Sequence, residues 1–428
     1  MNERLKLTYR KMQAYVPGIT DFIYKQWANR GGSGVICLPA YDLIPFVKKN
    51  RKIIQNKKYY NKVLSKIKND SFDIDHLDIA LMVPAPIKGS GGHRNIYRIV
   101  KYLHEFGHDV TVYYTQTAEK ADRVKSNVSK WFYDMSDIPF ICYDGNLGYH
   151  DVAISAWWEI TYMLQDNIDK VKYPFSLVQD FEAAFYPVNS NYVLCENSYQ
   201  MGFGNICSGK WCKDFLIKKY NADAEAFQFP VDTSIYNTDK KRSKKNENVL
   251  FFAKPEMNRR CFEVGLMMLK ELHNIRPKTE IIMFGSNHIN VKKIPFPARI
   301  EKMLPTLSDL ADLYRNADLG IVFSTTNPSL VPYEMMSCGC PVADLNIEYA
   351  VSKYGGSENN VFLCDPTPKI FAEQVNNILN DKIILRKKAK CGKQWVENDF
   401  PSEKAAVILV EKMIKNRILR GSVSIDVN

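Results

Sequence analysis

Apolar and polar positions change rhythm near Asp78. Downstream, short apolar runs bounded by Gly, Pro, Asn and Asp predict strands: "DIALMVPAP", "HDVTVYY", "IPFICYD", "DVAISAWW", "YPFSLVQDF" and "AEAFQFP". Helical segments fall between most of them, and "RNIYRIVKYLHEFG" predicts an amphipathic helix closing on Gly107. The charged, turn-rich "TDKKRSKKNEN" reads as a linker, and then the alternation restarts. "NVLFFAKP" leads into a helix over 259–273. "TEIIMFG" and "ARIEKML" precede a helix over 306–316, and "LGIVFS" precedes a helix from about 332. "CPVADL" and "NVFLCD" follow, then two helices over 367–397 and a last helix, "SEKAAVILVEKMIKNRIL". Strand and helix in alternation imply parallel sheets covered on both faces, so the chain predicts two doubly wound α/β domains in series. The expected divisions are an extension over 1–72, a first domain over 73–235, a second over 236–400 and a C-terminal helix over 401–428. Ligands of such sheets sit at the carboxyl ends of the strands, which here would face a cleft.

Charge changes the picture only at the N-terminus. Residues 1–70 hold 15 Lys and Arg against 4 Asp and Glu, which equals the net charge of +11 for all 428 residues. The two domains are therefore neutral in sum, which argues against a chain built to hold nucleic acid. The extension predicts two basic helical parts, 1–30 and 41–68, around "NRGGSGVICLP", with Lys interleaved among Tyr, Ile, Leu and Phe. No apolar run approaches the roughly 18 residues of a membrane span, and "MNERLKLTYRKMQAYV" lacks the apolar core of a signal peptide. The ten cysteines form no CxxC pair or zinc spacing and read as reduced core thiols of a cytoplasmic protein.

Candidate chemistry lies where strands hand over to helices. In "LGIVFSTTNPSLVPYEMMSCGCPVADL" a loop follows a strand, Pro332 suits the first helical position, and Glu334 falls in the first turn. A helix start there offers free N–H groups to a phosphate, and Glu334 either receives ribose hydroxyls or only balances the helix dipole. In "FFAKPEMNRR", Lys254 and Arg259 are placed to hold a diphosphate. "PIKGSGGHRN" is a Gly-rich turn that departs from the dinucleotide fingerprint; Gly91 and Gly92 permit close backbone approach, and His93 is a candidate catalyst or a helix-start residue. In "QDFEAAFYP", Asp180 and Glu182 are candidates for a base, for sugar hydroxyls or for capping the next helix. The Asp-x-Asp in "SFDIDHLD" precedes the first strand, and no metal site is assigned.

These blocks, with "GGHRNIYRIVKYLHEFGHDVTVY", "FPVDTSIY" and "LSDLADLYRNADLGIVFSTTNPSLVPYEMMSCGCPVADLN", resemble a family-4 retaining glycosyltransferase of the GT-B fold, in which two Rossmann-like domains face across a cleft. "LVQDFEAAFYPVNSNYVLCENSY" and "LFFAKPEMNRR" most resemble the WsaF-type rhamnosyltransferases of bacterial surface polysaccharides. The resemblance covers roughly residues 76–420. It implies a nucleotide-diphosphate sugar donor, dTDP-, UDP- or GDP-linked, held by the second domain. Lys254 and Arg259 match the basic pair at the diphosphate; Asn327, Pro328, Ser329, Leu330 and Val331 match the loop that meets phosphates and sugar; Glu334 matches the ribose-binding Glu. Gly285, Ser286, Met303 and Leu304 fall where the base lies, and Gly91 and Gly92 match the loop that closes over the donor. The acceptor, an oligosaccharide or lipid-linked glycan, is expected on the first domain near His93 and Asp180. Thr326 stands where the family often has a Glu over the donor sugar, and the His that some members carry after a first-domain strand is missing in "ISAWWEI". The uncharged Thr326 fits a deoxysugar such as rhamnose.

The implied reaction is transfer with retention, expected to need no metal and no cofactor beyond the donor. The charge of residues 1–70 predicts contact with anionic lipid at the inner face of the membrane, the alternative being that this segment packs on the first sheet with its Lys residues solvated. Two alternatives stand beside it. A nucleotide-sugar epimerase of the same fold needs acid and base carboxylates in the cleft. A nucleic-acid-binding protein would use the basic extension.

Overall fold

A computed structural model describes residues 73–423, apart from 118, 241–245 and 349. The predicted extension lies outside the described residues. Two parallel sheets carry the chain. In the first, β1 (Asp78–Val83), β2 (Asp109–Tyr114), β3 (Phe140–Cys142), β4 (His150–Ser155), β5 (Val171–Val178), β6 (Gly204–Ser208) and β7 (Ala224–Phe227) take the order β3-β2-β1-β4-β5-β6-β7. In the second, β8 (Asn248–Phe252), β9 (Glu280–Phe284), β10 (Arg299–Ile300), β11 (Leu319–Ile321), β12 (Val342–Leu345) and β13 (Phe362–Cys364) take the order β10-β9-β8-β11-β12-β13. Each order reverses once, between β1 and β4 and between β8 and β11, so each sheet opens a crevice at its carboxyl edge.

The helices of the first half are α1 (Gly91–Glu105), α2 (Ala121–Trp131), α3 (Trp158–Gln165), α4 (Ser190–Ser198) and α5 (Lys210–Tyr220). Those of the second are α6 (Phe262–Ile275), α7 (Leu307–Arg315), α8 (Val331–Ser337), α9 (Pro368–Asn380) and α10 (Lys382–Asp399), with α11 (Glu403–Val423) last. The sequence explains their ends. Ser90 caps α1 by accepting the His93 N–H, and Gly107 closes it at φ +97°. Thr306 and Asp309 form a reciprocal capping box on α7.

β1 is apolar after Asp78 because helices cover both faces, and Ile79, Leu81 and Val83 are buried with Ile96, Tyr97 and Val100 of α1. The same core takes in Ala406, Val407, Val410, Ile414 and Ile418, so α11 packs on the first sheet. There Arg98 of α1 donates to Glu403 at 2.8 Å, and Tyr133 donates to the same oxygen at 2.9 Å.

Three details depart from the sequence reading. β6, "GNICS", was not among the predicted strands; its Gly and Asn mask a buried strand. "ARIEKML" contributes only Arg299–Ile300 to the sheet. The helix predicted over 259–273 begins at Phe262, because Cys261 adopts a left-handed conformation (φ +48°) after a 3-10 turn at Asn258–Arg260. The described cysteines are all free thiols. Among the described residues no helix is long and apolar enough to cross a membrane.

Candidate functional site

The carboxyl ends of β5, β6 and β11 meet in the cleft. Asp180, just after β5 and 7% exposed, accepts the Asn327 N–H at 2.9 Å and the Thr326 hydroxyl at 3.1 Å. Its second oxygen also lies 3.2 Å from Arg259 Nε, an ion pair rather than an aligned hydrogen bond. Asn327 in turn donates to the carbonyls of Gln179 and Ser208, both at 2.9 Å. The loop between β11 and α8 is therefore shaped by the first half of the molecule. Below it, Lys353 donates to the Ser324 carbonyl at 2.6 Å, and Tyr354 donates to Asp344 at 2.9 Å.

These bonds revise three assignments. Asp180 is engaged four ways, the Phe181 N–H at 2.8 Å included, and is not a base presented to an acceptor. Thr326 turns its hydroxyl to Asp180 and is only 2% exposed, so its side chain does not reach a donor sugar. The start of α8 is a weaker phosphate site than a helix start alone suggests. Leu330 is its N-cap, Pro332 supplies no N–H, and the Tyr333 and Glu334 N–H groups both bond to the Leu330 carbonyl. What remains free is more specific: Ser329 Oγ is buried with no partner among the described residues. A buried hydroxyl left unpaired is costly unless a ligand meets it.

Lys254 and Arg259 follow β8 at its carboxyl edge. Lys254 pairs with Glu256 at 3.2 Å, and Arg259 lies over the Phe185 ring of the first half at 4.0 Å. Arg260 next to it is buried, with Nε and one terminal nitrogen unpaired, and burial lowers its pKa to about 10. This residue was not singled out from the sequence, although it sits in the quoted "NRR". Glu334 is half-buried on α8, near Arg94, Tyr236 and Tyr314. Desolvation pushes its carboxyl up to about 7 against the pull of Arg94.

The expected base contacts divide. Gly285 is at φ +100°, and a Cβ there would come within 2.6 Å of the Phe252 ring, so this turn at the end of β9 requires glycine. Ser286 is buried, donating to Glu256 at 2.8 Å and accepting the His288 N–H at 3.0 Å. Met303 is 49% exposed and reaches toward Gly89 of the first half. Leu304 instead lines a polar hollow with Asn248, Glu280 and Arg299, toward the amino ends of β8 and β9.

On the first half, Gly91 and Gly92 open α1, and neither has a positive φ; a Cβ on Gly91 would meet nothing within 4 Å. The residue whose conformation demands glycine is Gly89, at φ +75°. The His93 ring is buried beside Tyr97 and Phe132, its Nδ1 lies 3.0 Å from Ser90 Oγ, its Nε2 is buried with no partner among the described residues, and burial lowers its pKa. Glu182 is fully enclosed and accepts the Trp158 N–H at 2.9 Å, and desolvation holds its carboxyl well above the usual range. Among the described residues no group of His, Cys, Asp and Glu is arranged to hold a metal ion.

Comparison with known proteins agrees with this architecture. Residues 247–376 match the family model "WsaF, C-terminal domain". The O-antigen biosynthesis protein RfbC of Myxococcus xanthus is 25% identical over 227 residues, spanning 51% of this chain and 17% of that protein. Among solved structures, sucrose-phosphate synthase of Thermosynechococcus elongatus aligns over 80% of this chain and 100% of its own, at TM-score 0.60 and 12% identity. Anabaena HepE in complex with UDP-glucose aligns over 81% of this chain and 100% of its own, at TM-score 0.60 and 13% identity. TarM aligns over 82% of this chain and 100% of its own, at TM-score 0.60 and 8% identity. The expected two-domain GT-B fold is thereby borne out, and residues 247–376 are similar to the WsaF C-terminal domain.

Proposed function

We propose that the protein transfers a sugar from a nucleotide-diphosphate donor to a growing bacterial surface polysaccharide or lipid-linked glycan. The observation that carries this is that Lys254 and Arg259 follow β8, while Ser329, with its unpaired hydroxyl, and the half-buried Glu334 follow β11, the adjacent strand of the same sheet. This set suits a nucleoside diphosphate: cations for the phosphates, a hydroxyl and a carboxylate for sugar hydroxyls. HepE, of the same fold, is described with UDP-glucose, and RfbC with O-antigen biosynthesis, which supports donor and pathway class.

In this scheme the bond from the sugar anomeric carbon to the diphosphate oxygen breaks, and the acceptor oxygen bonds to that carbon from the same face. The acceptor proton passes to the departing phosphate. Lys254 and Arg259 balance the charge that develops there. Rhamnose is the proposed sugar, on the WsaF-type resemblance of the sequence alone. The epimerase alternative is less well supported, because Asp180 and Glu182, the carboxylates expected for it, are each committed to partners within the protein. Thermal shift against dTDP, UDP and GDP tests the class. A ligand at a hundred times its Kd stabilises by about 2.7 kcal/mol, so the cognate nucleotide should raise the melt selectively. No shift with any of the three would rule the proposal out.

A further inference from the structure

We propose that Trp157, Phe185 and Glu159 form the subsite that seats the acceptor as a pyranoside, beside the diphosphate cations; this rests on the transferase reading above. The three come from neighbouring strand ends of the first sheet. Trp157 follows β4 and precedes α3, Glu159 stands in the first turn of α3, and Phe185 ends the 3-10 turn after β5. The Trp157 and Phe185 rings stack at 6.0 Å with 26° between their planes, and both are half-buried. Arg259 covers the other end of the pair, 4.0 Å from the Phe185 centroid. Ring, ring and guanidinium thus run from the first half to the cation that would hold the leaving group.

Polar groups edge this surface. Gln116, after β2, donates to Glu159 at 3.1 Å and holds a left-handed conformation (φ +63°) that is uncommon for its type. Burial raises the Glu159 carboxyl above its usual range, against the hydrogen bonds from Trp157 and Gln116. Beneath them, Glu182 fixes the start of α3 through the Trp158 N–H. A pyranoside matches such a surface, with one C–H face for the rings and equatorial hydroxyls for a carboxylate and an amide. A nucleotide base would also stack on the rings. It is disfavoured because Glu334, Ser329 and Lys254 all lie on the second half, whereas both rings belong to the first.

The test uses the full chain with saturating dTDP, UDP or GDP, whichever shifts the melt most. Binding of methyl α-rhamnoside and methyl α-glucoside is followed by saturation-transfer NMR, and nucleotide binding by calorimetry. Trp157→Ala should weaken glycoside binding by about tenfold, Glu159→Gln should weaken it too, and Trp157→Phe should restore most of the loss. Nucleotide affinity should stay within about twofold of wild type in all three. Undiminished glycoside binding in Trp157→Ala, no glycoside binding by the wild type, or loss of nucleotide affinity in Trp157→Ala would each overturn the assignment. If none of the nucleotides shifts the melt, the transferase reading falls first, and this subsite falls with it.

Discussion

Asn327 ties the two halves of the cleft to Asp180 and its neighbour by two donations: its backbone N–H to the Asp180 carboxylate at 2.9 Å and its side-chain amide to the Gln179 carbonyl at 2.9 Å. The loop expected to meet the donor is thus shaped from across the cleft, and the same carboxylate fixes Arg259. Asp180→Asn keeps the volume but removes the charge that Arg259 faces. Breaking a buried pair this way costs about 3–5 kcal/mol, with the lower end expected because Arg259 keeps some solvent. The melt should fall, and calorimetry should show nucleotide affinity down by at least about tenfold. A variant that melts and binds like the wild type would show that the tie does not shape the loop.

Lys254 lies at the carboxyl edge of β8 and, among the described residues, pairs with the partly exposed Glu256. That pairing is replaceable by a phosphate, so Lys254→Ala should leave the fold intact. Loss of one preorganised electrostatic contact typically costs about a hundredfold in rate. Turnover near wild type at saturating nucleotide sugar would remove Lys254 from the diphosphate site.

Metal dependence follows from the same geometry. With Lys254 and Arg259 supplying positive charge where the leaving group forms, sugar transfer should survive EDTA. Abolition by chelator and recovery with magnesium or manganese would show that a cation, not these side chains, carries that charge.

Much of the fold was legible because its strands are buried on both faces and read as near-continuous apolar runs; β1, β8 and β9 are examples. β6 was not, since "GNICS" is too short and polar to stand out. The cation pair and Glu334 were legible from their places after strands. What the sequence hid was commitment. Asp180 and Thr326 have the chemistry of site residues, yet each spends it within the protein, on partners up to 147 positions away in the chain. The Trp157 and Phe185 pair was equally hidden, because each aromatic alone reads as core and only the fold stacks them.

Glu334 gives a pH dependence whose sign is fixed. Desolvation raises its carboxyl to about 7, above its ordinary value of 4.5. The folded chain therefore binds this proton more tightly than the unfolded chain. Its contribution to stability is fully present below about pH 4.5 and is lost as pH rises through about 7. Glu334→Gln is neutral throughout, so its melt relative to wild type should rise between pH 5 and 8. If the carboxylate receives ribose hydroxyls, the same variant should bind the nucleoside diphosphate more weakly at pH 8. Equal binding with a pH-dependent gain in stability would leave Glu334 as a buried helix residue only.

The excess charge of the chain offers the last test. Residues 1–70 carry 15 Lys and Arg against 4 Asp and Glu, while the rest of the chain is neutral in sum. Each basic residue near an anionic leaflet gains on the order of 1 kcal/mol, and the interleaved Tyr, Ile, Leu and Phe add apolar anchorage. An enzyme extending a lipid-linked glycan needs such a surface. We expect the full chain to pellet with phosphatidylglycerol vesicles at low salt and to be released at high salt, where charges are screened within a few ångströms. It should ignore neutral phosphatidylcholine vesicles. Reversing Lys57, Lys58 and Lys62 to Glu should weaken pelleting without changing nucleotide binding. Pelleting that is indifferent to lipid charge, to salt and to these reversals would place the basic segment's role elsewhere.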